Sequence, residues 1–370
     1  MGGVSESSKV SRHRRIWPYL PNLLILAVMA ISESKTSVVA ASVVNEEDAS
    51  LDAKLRPQSL KEFVGQERLK AALSVFLSAA IQRGEALEHV LLAGPPGLGK
   101  TSLAQIVARE LAANLRVTSG PALTKVADLA GILTNLKPRD VLFIDEIHRM
   151  QRSVEEVLYP AMEDYALDLV VGQGPGARTL RLDLPPFTLV GATTRLGLLG
   201  SPLRDRFGMT CRLSFYHEDE MVQILRRSAR LLVLAIDDEA LLEVARRCRR
   251  TPRVANRLLK RIRDYAQVKQ YSTVTRGVVR EALALLEIDE RGLDVTDRKM
   301  LLCMIEHFNG GPAGLQTLAA VLAEEQRTLE EVVEPFLLQC GFIVRTPRGR
   351  MVTEAGRQHV GLASKQPALL

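Results

Sequence analysis

The most specific chemical pattern in the chain is the run GPPGLGKT at 94–101. It matches G-x-x-x-x-G-K-[ST], the pattern of a phosphate-binding loop, at every fixed position. Gly97 and Gly99 allow backbone N–H groups to curl around phosphates. Lys100 neutralises the β- and γ-phosphates, and the Thr101 hydroxyl is a ligand for Mg²⁺. The sequence therefore predicts a site for ATP and Mg²⁺.

Two adjacent acids form the second pattern. Four apolar residues, 141–144, lead directly into Asp145 and Glu146. A buried parallel strand places such groups at its carboxyl end, where ligands bind. Asp145 is expected to hold Mg²⁺, directly or through water, and Glu146 to polarise the attacking water. The string is weak alone, but its position about 45 residues after the phosphate-binding loop makes it specific.

A third apolar run, 187–192, ends at Thr193 and Thr194. A hydroxyl at this strand end could hold the γ-phosphate or the lytic water, although threonine is also a common strand former and helix cap. Arg204 and Arg206 follow in SPLRDRF. They suggest an arginine finger supplied to a neighbouring subunit's nucleotide, with a solvated basic loop as the alternative.

These patterns require particular elements around them. The apolar run 89–93 precedes the phosphate-binding loop and helical spacing follows it, and the three strands alternate with helical stretches. This arrangement predicts an α/β core with a parallel sheet. Alternating leucines on both sides of the glycine-rich 172–176 predict a β-hairpin over 167–184, which could dock a partner protein.

The chain turns helical after about residue 216, and it carries a strongly basic run at 246–280. Residues 291–360 read as a winged-helix head, with helices at 295–308, 315–323 and 328–340 before strands at 341–345 and 351–353. Three arginines lie on the wing: Arg345, Arg348 and Arg350. Contacts from them to DNA phosphates would bring affinity without base specificity.

The composition of the chain limits the number of domains and the possible classes of protein. The chain has 370 residues, 49 Lys+Arg against 43 Asp+Glu, and 4% aromatic residues. Its length suggests two or three domains, and its few aromatic residues argue against a carbohydrate binder or an aromatic single-strand binder. The four cysteines lack zinc-site spacing and read as buried or half-buried thiols in a reducing compartment.

The first 50 residues read differently from the rest. Basic residues precede an apolar stretch at 20–31, which resembles a signal peptide but is too short to span a membrane. A disordered or mis-started extension, with translation beginning at Met29, is the favoured interpretation, and a targeting segment is the alternative.

The order GPPGLGKT, LFIDEIHR, AMEDY, PFTLVGATTR and SPLRDRFG resembles the AAA+ class. Within it the chain resembles the RuvB family, the bacterial Holliday-junction branch-migration motors, from about Ala53 to the end. The strings at 311–315 and 345–350 are more specific to that family than the loop is. The chain departs from the family pattern at Arg250, at Asn309, and at Gln326-Arg327, where an arginine followed by an acid is expected.

The resemblance implies roles residue by residue. Thr194 resembles sensor 1, Arg206 the trans-acting finger and Arg253 the sensor 2 arginine. Ser102 stands where a second threonine is usual after the loop. Further nucleotide contacts are implied for Leu55, Arg56, Glu163, Asp164, Tyr165 and Tyr216. DNA contacts are implied for Arg345 and Arg350.

The expected protein is a cytoplasmic ATP-dependent motor acting on four-way junction and duplex DNA as a homohexameric ring. The resemblance implies the junction-binding RuvA and the resolvase RuvC as partners. Expected domains are an extension at 1–50, an ATPase domain at 51–215, a lid at 216–288 and a DNA-binding head at 289–370. A clamp-loader subunit and a nucleotide-dependent DNA-binding scaffold are the alternative functions.

Overall fold

A computed structural model describes residues 46–171 and 178–361. Most of the predicted N-terminal extension and the tip of the predicted hairpin lie outside these residues. Among the described helices, none combines the length and the apolar character needed to cross a membrane.

The strands, in chain order, are β1 (Val90–Ala93), β2 (Leu115–Ser119), β3 (Val141–Asp145), β4 (Ala166–Val171), β5 (Arg178–Asp183), β6 (Thr188–Thr193), β7 (Met209–Arg212), β8 (Ile343–Thr346) and β9 (Gly349–Val352). The helices of the first part are α1 (Glu46–Leu55), α2 (Glu67–Arg83), α3 (Lys100–Glu110), α4 (Val126–Leu133), α5 (Arg152–Glu163) and α6 (Ser201–Arg204). The later helices are α7 (Glu218–Leu231), α8 (Asp238–Arg247), α9 (Pro252–Val268), α10 (Arg276–Leu285), α11 (Val295–Phe308), α12 (Leu315–Leu322), α13 (Gln326–Thr328), α14 (Glu334–Gln339) and α15 (Glu354–His359).

Five of these strands form one parallel sheet in the order β2-β3-β6-β1-β7. The three predicted strands are its centre, and their apolar residues are buried because helices cover both faces. The prediction of an α/β core with a parallel sheet is confirmed. The order places the ends of β1, β3 and β6 side by side, so the groups that follow these strands meet at one edge.

The predicted hairpin is also present. Strands β4 and β5 pair antiparallel, with Leu167 opposite Leu182 and Leu169 opposite Leu180. Leu167 is buried in the core of the first part, whereas Leu180 is 48% exposed. The base of the hairpin is therefore anchored at Leu167, whereas Leu180 faces solvent.

The lid consists of α7 to α10, and a buried cluster joins it to the winged-helix head. Arg249 donates hydrogen bonds to the carbonyl of Gly292 and to Asp297, at 2.5 Å, and pairs with Asp294 at 2.9 Å. Its guanidinium lies over the ring of Phe336, 4.6 Å from the ring centroid. Burial raises the pKa of Asp297 to about 8, which fits two carboxylates sharing one arginine.

One predicted helical stretch of the head changes its winding. The helical stretch predicted over 328–340 is present, but it is not α-helical throughout: α13 ends at Thr328, a π-helical turn spans Leu329–Val333, and α14 follows. Pro335 has no backbone N–H to donate to the carbonyl four residues earlier, which explains the change of winding.

The wing is a hairpin of β8 and β9 joined by a two-residue turn, and Arg345 lies opposite Arg350. Compared with the predicted ranges, β8 begins two residues later and ends one later, and β9 begins two residues earlier and ends one earlier. Gly349 begins β9 with φ 137°, and a Cβ there would lie 2.5 Å from the carbonyl oxygen of Ala313. The glycine allows the wing to pair with the backbone before α12.

The four cysteines are free thiols. Cys211, Cys248 and Cys303 are buried and Cys340 is half-buried. Burial raises the pKa of Cys211 and Cys340 to about 11 and that of Cys248 to about 12. The prediction of buried or half-buried thiols is confirmed for all four.

Candidate functional site

The phosphate-binding loop joins β1 to α3. Gly97 and Gly99 have φ of 80° and 103°, a left-handed region that favours glycine. The Lys100 ammonium is buried and donates hydrogen bonds to the carbonyls of Gly94, at 2.7 Å, and Pro95, at 2.8 Å. Burial lowers the pKa of Lys100 to about 8, and the negative charge of Asp145 opposes that shift. A buried cation at the start of a helix suits a polyanionic ligand.

The acidic pair lies next to this lysine. Asp145 ends β3, and its Oδ1 accepts a hydrogen bond from the N–H of Glu146 at 2.9 Å. One carboxylate and the hydroxyl of Thr101, in the first turn of α3, are hard oxygen donors. They fit Mg²⁺, which keeps several water ligands.

Glu146 turns away from the strand with φ 48°. Its Oε2 accepts from Arg149 at 2.6 Å, and its Oε1 accepts from Arg327 of the winged-helix head at 2.9 Å. Burial acts to raise the pKa of Glu146, but the hydrogen bond from Arg149 and the charge of Arg327 hold it below its usual value. The carboxylate is ionised and is held from two sides.

The two threonines after β6 differ in their surroundings. Thr193 is fully buried, and its hydroxyl lies 3.0 Å from Nδ1 of His148. Thr194 follows in a half-buried turn at the same edge of the sheet as Asp145. Burial lowers the pKa of His148, which favours the neutral ring. A predicted sensor therefore stands beside the strand that carries the acids.

The lid closes over the loop through several of the predicted residues. The buried Tyr216 donates its hydroxyl to the carbonyl of Leu98 at 3.0 Å, and the N–H of Arg253 donates to the carbonyl of Gly97 at 3.3 Å. Arg227 of α7 donates to the carbonyls of Leu55, at 2.8 Å, and Arg56, at 3.3 Å. The segment before the core, the loop and the lid are thus linked directly.

Three predicted nucleotide contacts lie elsewhere. Glu163 ends α5, which runs back from the acidic turn to the amino edge of the sheet, and Asp164 and Tyr165 follow it. The Tyr165 ring packs against His89, which precedes β1, and Phe187, which precedes β6. They are therefore remote from the chain's own phosphate-binding loop, and a nucleotide contact from them would be to another subunit's nucleotide.

Arg206 lies at that amino edge as well. Its guanidinium donates to Glu163, at 3.0 Å, and to the carbonyl of Pro202, and it lies 4.4 Å from the centroid of the Tyr159 ring. Only 22% of its side chain is exposed. Arg206 is therefore held at the amino edge of the sheet, at the opposite end of β1 from the phosphate-binding loop.

The wing arginines converge on one buried acid. Glu334 is 0% exposed and accepts from Nε of Arg345 at 2.7 Å and from Nε of Arg350 at 2.8 Å. Burial acts to raise the pKa of Glu334, but the hydrogen bonds from the two arginines lower it below its usual value. Arg348, at the turn, is exposed. Glu334 therefore orients the side chains of Arg345 and Arg350, whereas Arg348 is exposed at the turn.

Sequence reasoning missed several residues that hold this site together. They are His148, Arg149, Arg195, Arg227, Arg327, Glu331 and Glu334. His148 and Arg149 follow the acidic pair directly and could have been found there. Arg195, Arg227 and Arg327 bind acids that are distant in sequence. Nothing local distinguishes these arginines, or Glu331 and Glu334, from surface charges.

Three family models match consecutive parts of the chain. They are described as the Holliday junction DNA helicase RuvB P-loop domain over residues 55–213, the RuvB AAA lid domain over 216–289 and the RuvB C-terminal winged helix domain over 290–361.

Individual relatives agree with these models. The chain is 57% identical over 332 residues to the Holliday junction branch migration complex subunit RuvB of Dehalococcoides mccartyi, covering 90% of this chain and 95% of that protein. The solved structure described as the Thermotoga maritima RuvB Holliday junction branch migration motor is 52% identical, with a TM-score of 0.78 over 84% of this chain and 99% of that chain. A variant of the Thermotoga protein gives a TM-score of 0.79 over the same shares.

Proposed function

Because the chain belongs to the RuvB family, we propose that it is an ATP-driven DNA motor that moves the branch point of Holliday junctions in recombination and repair. The observation that carries the proposal is the proximity of Lys100, Asp145 and Glu146 at the carboxyl edge of the sheet. That edge belongs to a chain whose family matches continue through the lid to the winged helix.

In this proposal the residues at the carboxyl edge divide the hydrolysis of ATP between them. Lys100 binds the β- and γ-phosphates, Glu146 polarises the water that attacks the γ-phosphorus, and Thr194 orients that water or the γ-phosphate. Thr101 and Asp145 would hold Mg²⁺, which neutralises charge on the phosphate oxygens. Arg253, next to Gly97, would report the γ-phosphate to the lid.

We further propose a homohexameric ring around duplex DNA. The proposal is supported by the position of Arg206 and Glu163 at the amino edge, remote from the chain's own phosphate-binding loop. A head-to-tail arrangement would bring that edge to the next subunit's nucleotide, together with Asp164 and Tyr165.

DNA contact is assigned to the wing. Arg345 and Arg350 are pre-oriented by Glu334 and can bind backbone phosphates of any sequence, as a translocating motor needs. The junction-binding RuvA and the resolvase RuvC are the proposed partners, and the hairpin of β4 and β5 is the proposed docking element for a partner protein. The proposed location is the cytoplasm, where ATP is plentiful.

We propose the domain boundaries that the sequence predicts: an extension at 1–50, the ATPase domain at 51–215, the lid at 216–288 and the head at 289–370. A clamp-loader subunit would carry a helical collar in place of the wing formed by β8 and β9. A DNA-binding scaffold that does not hydrolyse ATP would not need Glu146 beside Lys100.

The test is branch migration of a synthetic four-way junction with ATP, with and without the junction-binding partner. Glu146→Gln should bind ATP like the parent and stop turnover, whereas Lys100→Ala should lose nucleotide binding. Equal ATP affinity for Lys100→Ala and the parent would refute the role of Lys100 in phosphate binding. Rapid ATP hydrolysis without branch migration would point to the clamp-loader alternative.

A further inference from the structure

A short segment of the winged-helix head, residues 326–331, lies against the ATPase site. Arg327 donates to Oε1 of Glu146 at 2.9 Å and to Glu331 at 3.0 Å. On the other side of the site, Arg195 pairs with Glu330 at 3.0 Å and with Glu331 at 3.3 Å. The head therefore contacts both turns that carry the hydrolytic groups, the one after β3 and the one after β6.

The contact to Glu146 occupies the part of the side chain that hydrolysis would use. Arg149 binds Oε2 and Arg327 binds Oε1, so each carboxylate oxygen already accepts a hydrogen bond from an arginine. A general base must come within hydrogen-bond reach of the proton that it attracts. While Arg327 is bound, Glu146 is directed toward the head and has less capacity to accept from a water molecule.

The pairing depends on the residue at 327. The resemblance described above leads one to expect an acid there, and an acid would repel Glu146, whereas this chain has arginine. Glu331 lies one helical turn later and holds the same guanidinium, so Arg327 is presented to Glu146 by its own segment. The pairing of Arg327 with Glu146 therefore depends on the arginine that this chain has at position 327.

We propose that Arg327 is a positioning residue that restrains Glu146, so that ATP hydrolysis is slow while the head lies on the ATPase domain and accelerates when the head moves. The inference rests on the proposed function, because Glu146 must be the group that polarises water. DNA held by the wing pulls on the same domain that carries Arg327, which gives the motor a direct route from DNA contact to hydrolysis.

The effect should be modest, because an ion pair whose side chains are 45% and 30% exposed is weak. Arg327→Ala is expected to raise the kcat of ATP hydrolysis without DNA by roughly two- to tenfold and to leave the KM for ATP unchanged. Arg327→Lys keeps the charge and should stay close to the parent. Arg226→Ala, which removes an exposed arginine–aspartate pair in the lid, is the matched control and should change neither constant.

A second readout needs no turnover. Backbone amides of 326–331 should exchange hydrogen faster in Arg327→Ala than in the parent, because the segment loses a tether to the ATPase domain. The Arg226→Ala variant should exchange at the parental rate in this segment.

The outcomes separate the inference from the proposed function. If Glu146→Gln abolishes turnover and Arg327→Ala leaves kcat unchanged or lowers it, the restraint is wrong and the motor assignment stands. If Arg327→Ala raises kcat but the amides of 326–331 exchange hydrogen at the parental rate, the idea that docking of the head restrains Glu146 is also wrong. If Glu146→Gln still hydrolyses ATP, the role of Glu146 in the proposed function fails and the inference fails with it.

Discussion

The position of Arg206 allows a sharp test of catalysis between subunits. Arg206 is bound by Glu163 near His89, at the start of β1, whereas the phosphate-binding loop begins at Gly94, after that strand ends. The five residue steps from His89 to Gly94 rise about 16 Å at 3.3 Å each. An arginine side chain does not span that distance, so Arg206 cannot reach the γ-phosphate bound by its own chain.

The perturbation is Arg206→Ala. ATP binding should stay at the parental level, because the loop, Lys100 and the lid contacts are untouched. An arginine finger is worth about 10³–10⁵ in rate, so turnover of a homogeneous ring should fall by that order. Nucleotide affinity and steady-state ATPase, measured on the same preparation, separate the two quantities.

Mixing variants then identifies the subunit that supplies the finger. Arg206→Ala subunits keep an intact loop, and Lys100→Ala subunits keep an intact finger. In an equal mixture about one quarter of the head-to-tail interfaces combine the intact loop of one with the intact finger of the other. The mixture should therefore recover up to about a quarter of the parental ATPase, while each variant alone stays inactive.

The control is Arg204→Ala, two residues away in an exposed position beside Asp205. Its homogeneous ring should keep most of the parental turnover. An absence of recovery at every mixing ratio, with subunit exchange verified by labelled chains, would refute trans action and return Arg206 to a surface role.

Two further predictions concern the head. The double variant Arg345→Ala, Arg350→Ala should weaken duplex DNA binding and keep the ATPase activity measured without DNA. In anisotropy measurements, the slope of log affinity against log salt concentration should become shallower by about two units. An unchanged slope would move the DNA site to the basic run 246–280. Asp297, with its pKa raised to about 8, binds its proton more tightly in the folded state, so unfolding free energy should fall as pH rises from about 4 to about 8, by at most about 1.4 kcal/mol per unit. Asp297→Asn should remove that part of the slope in thermal melts at pH 5 to 9, and an identical slope in parent and variant would contradict the raised pKa of Asp297 in the cluster around Arg249.

The fold was predictable where local patterns repeat. The three central strands are short apolar runs, and each ends in a polar group that marks the carboxyl edge. The edge strands β2 and β7 were missed because they mix polar and apolar residues, and Val117 of β2 is 61% exposed. An edge strand with little buried surface leaves little pattern in the sequence.

The site was predictable only in part, for a physical reason. Motif residues lie within a few positions of the strand ends that place them, so Lys100 and Asp145 could be assigned from sequence. Arg327 is 181 residues from Glu146, and an arginine next to an acid on a short helix also describes any solvated surface. Its partner is decided by how the head packs on the core, which no local spacing encodes.

The buried cysteines make the chain a favourable subject for distance measurements. Since only thiolates attack alkylating reagents, thiols with a pKa of about 11 or 12 are about 10⁻⁴ or less ionised at pH 7. Cys303 is buried as well, so all four native thiols should stay silent toward maleimide dyes in the folded state. A cysteine introduced on the exposed wing turn and another on α2 would then take up a dye pair selectively, and the movement of the head could be followed without removing a native residue.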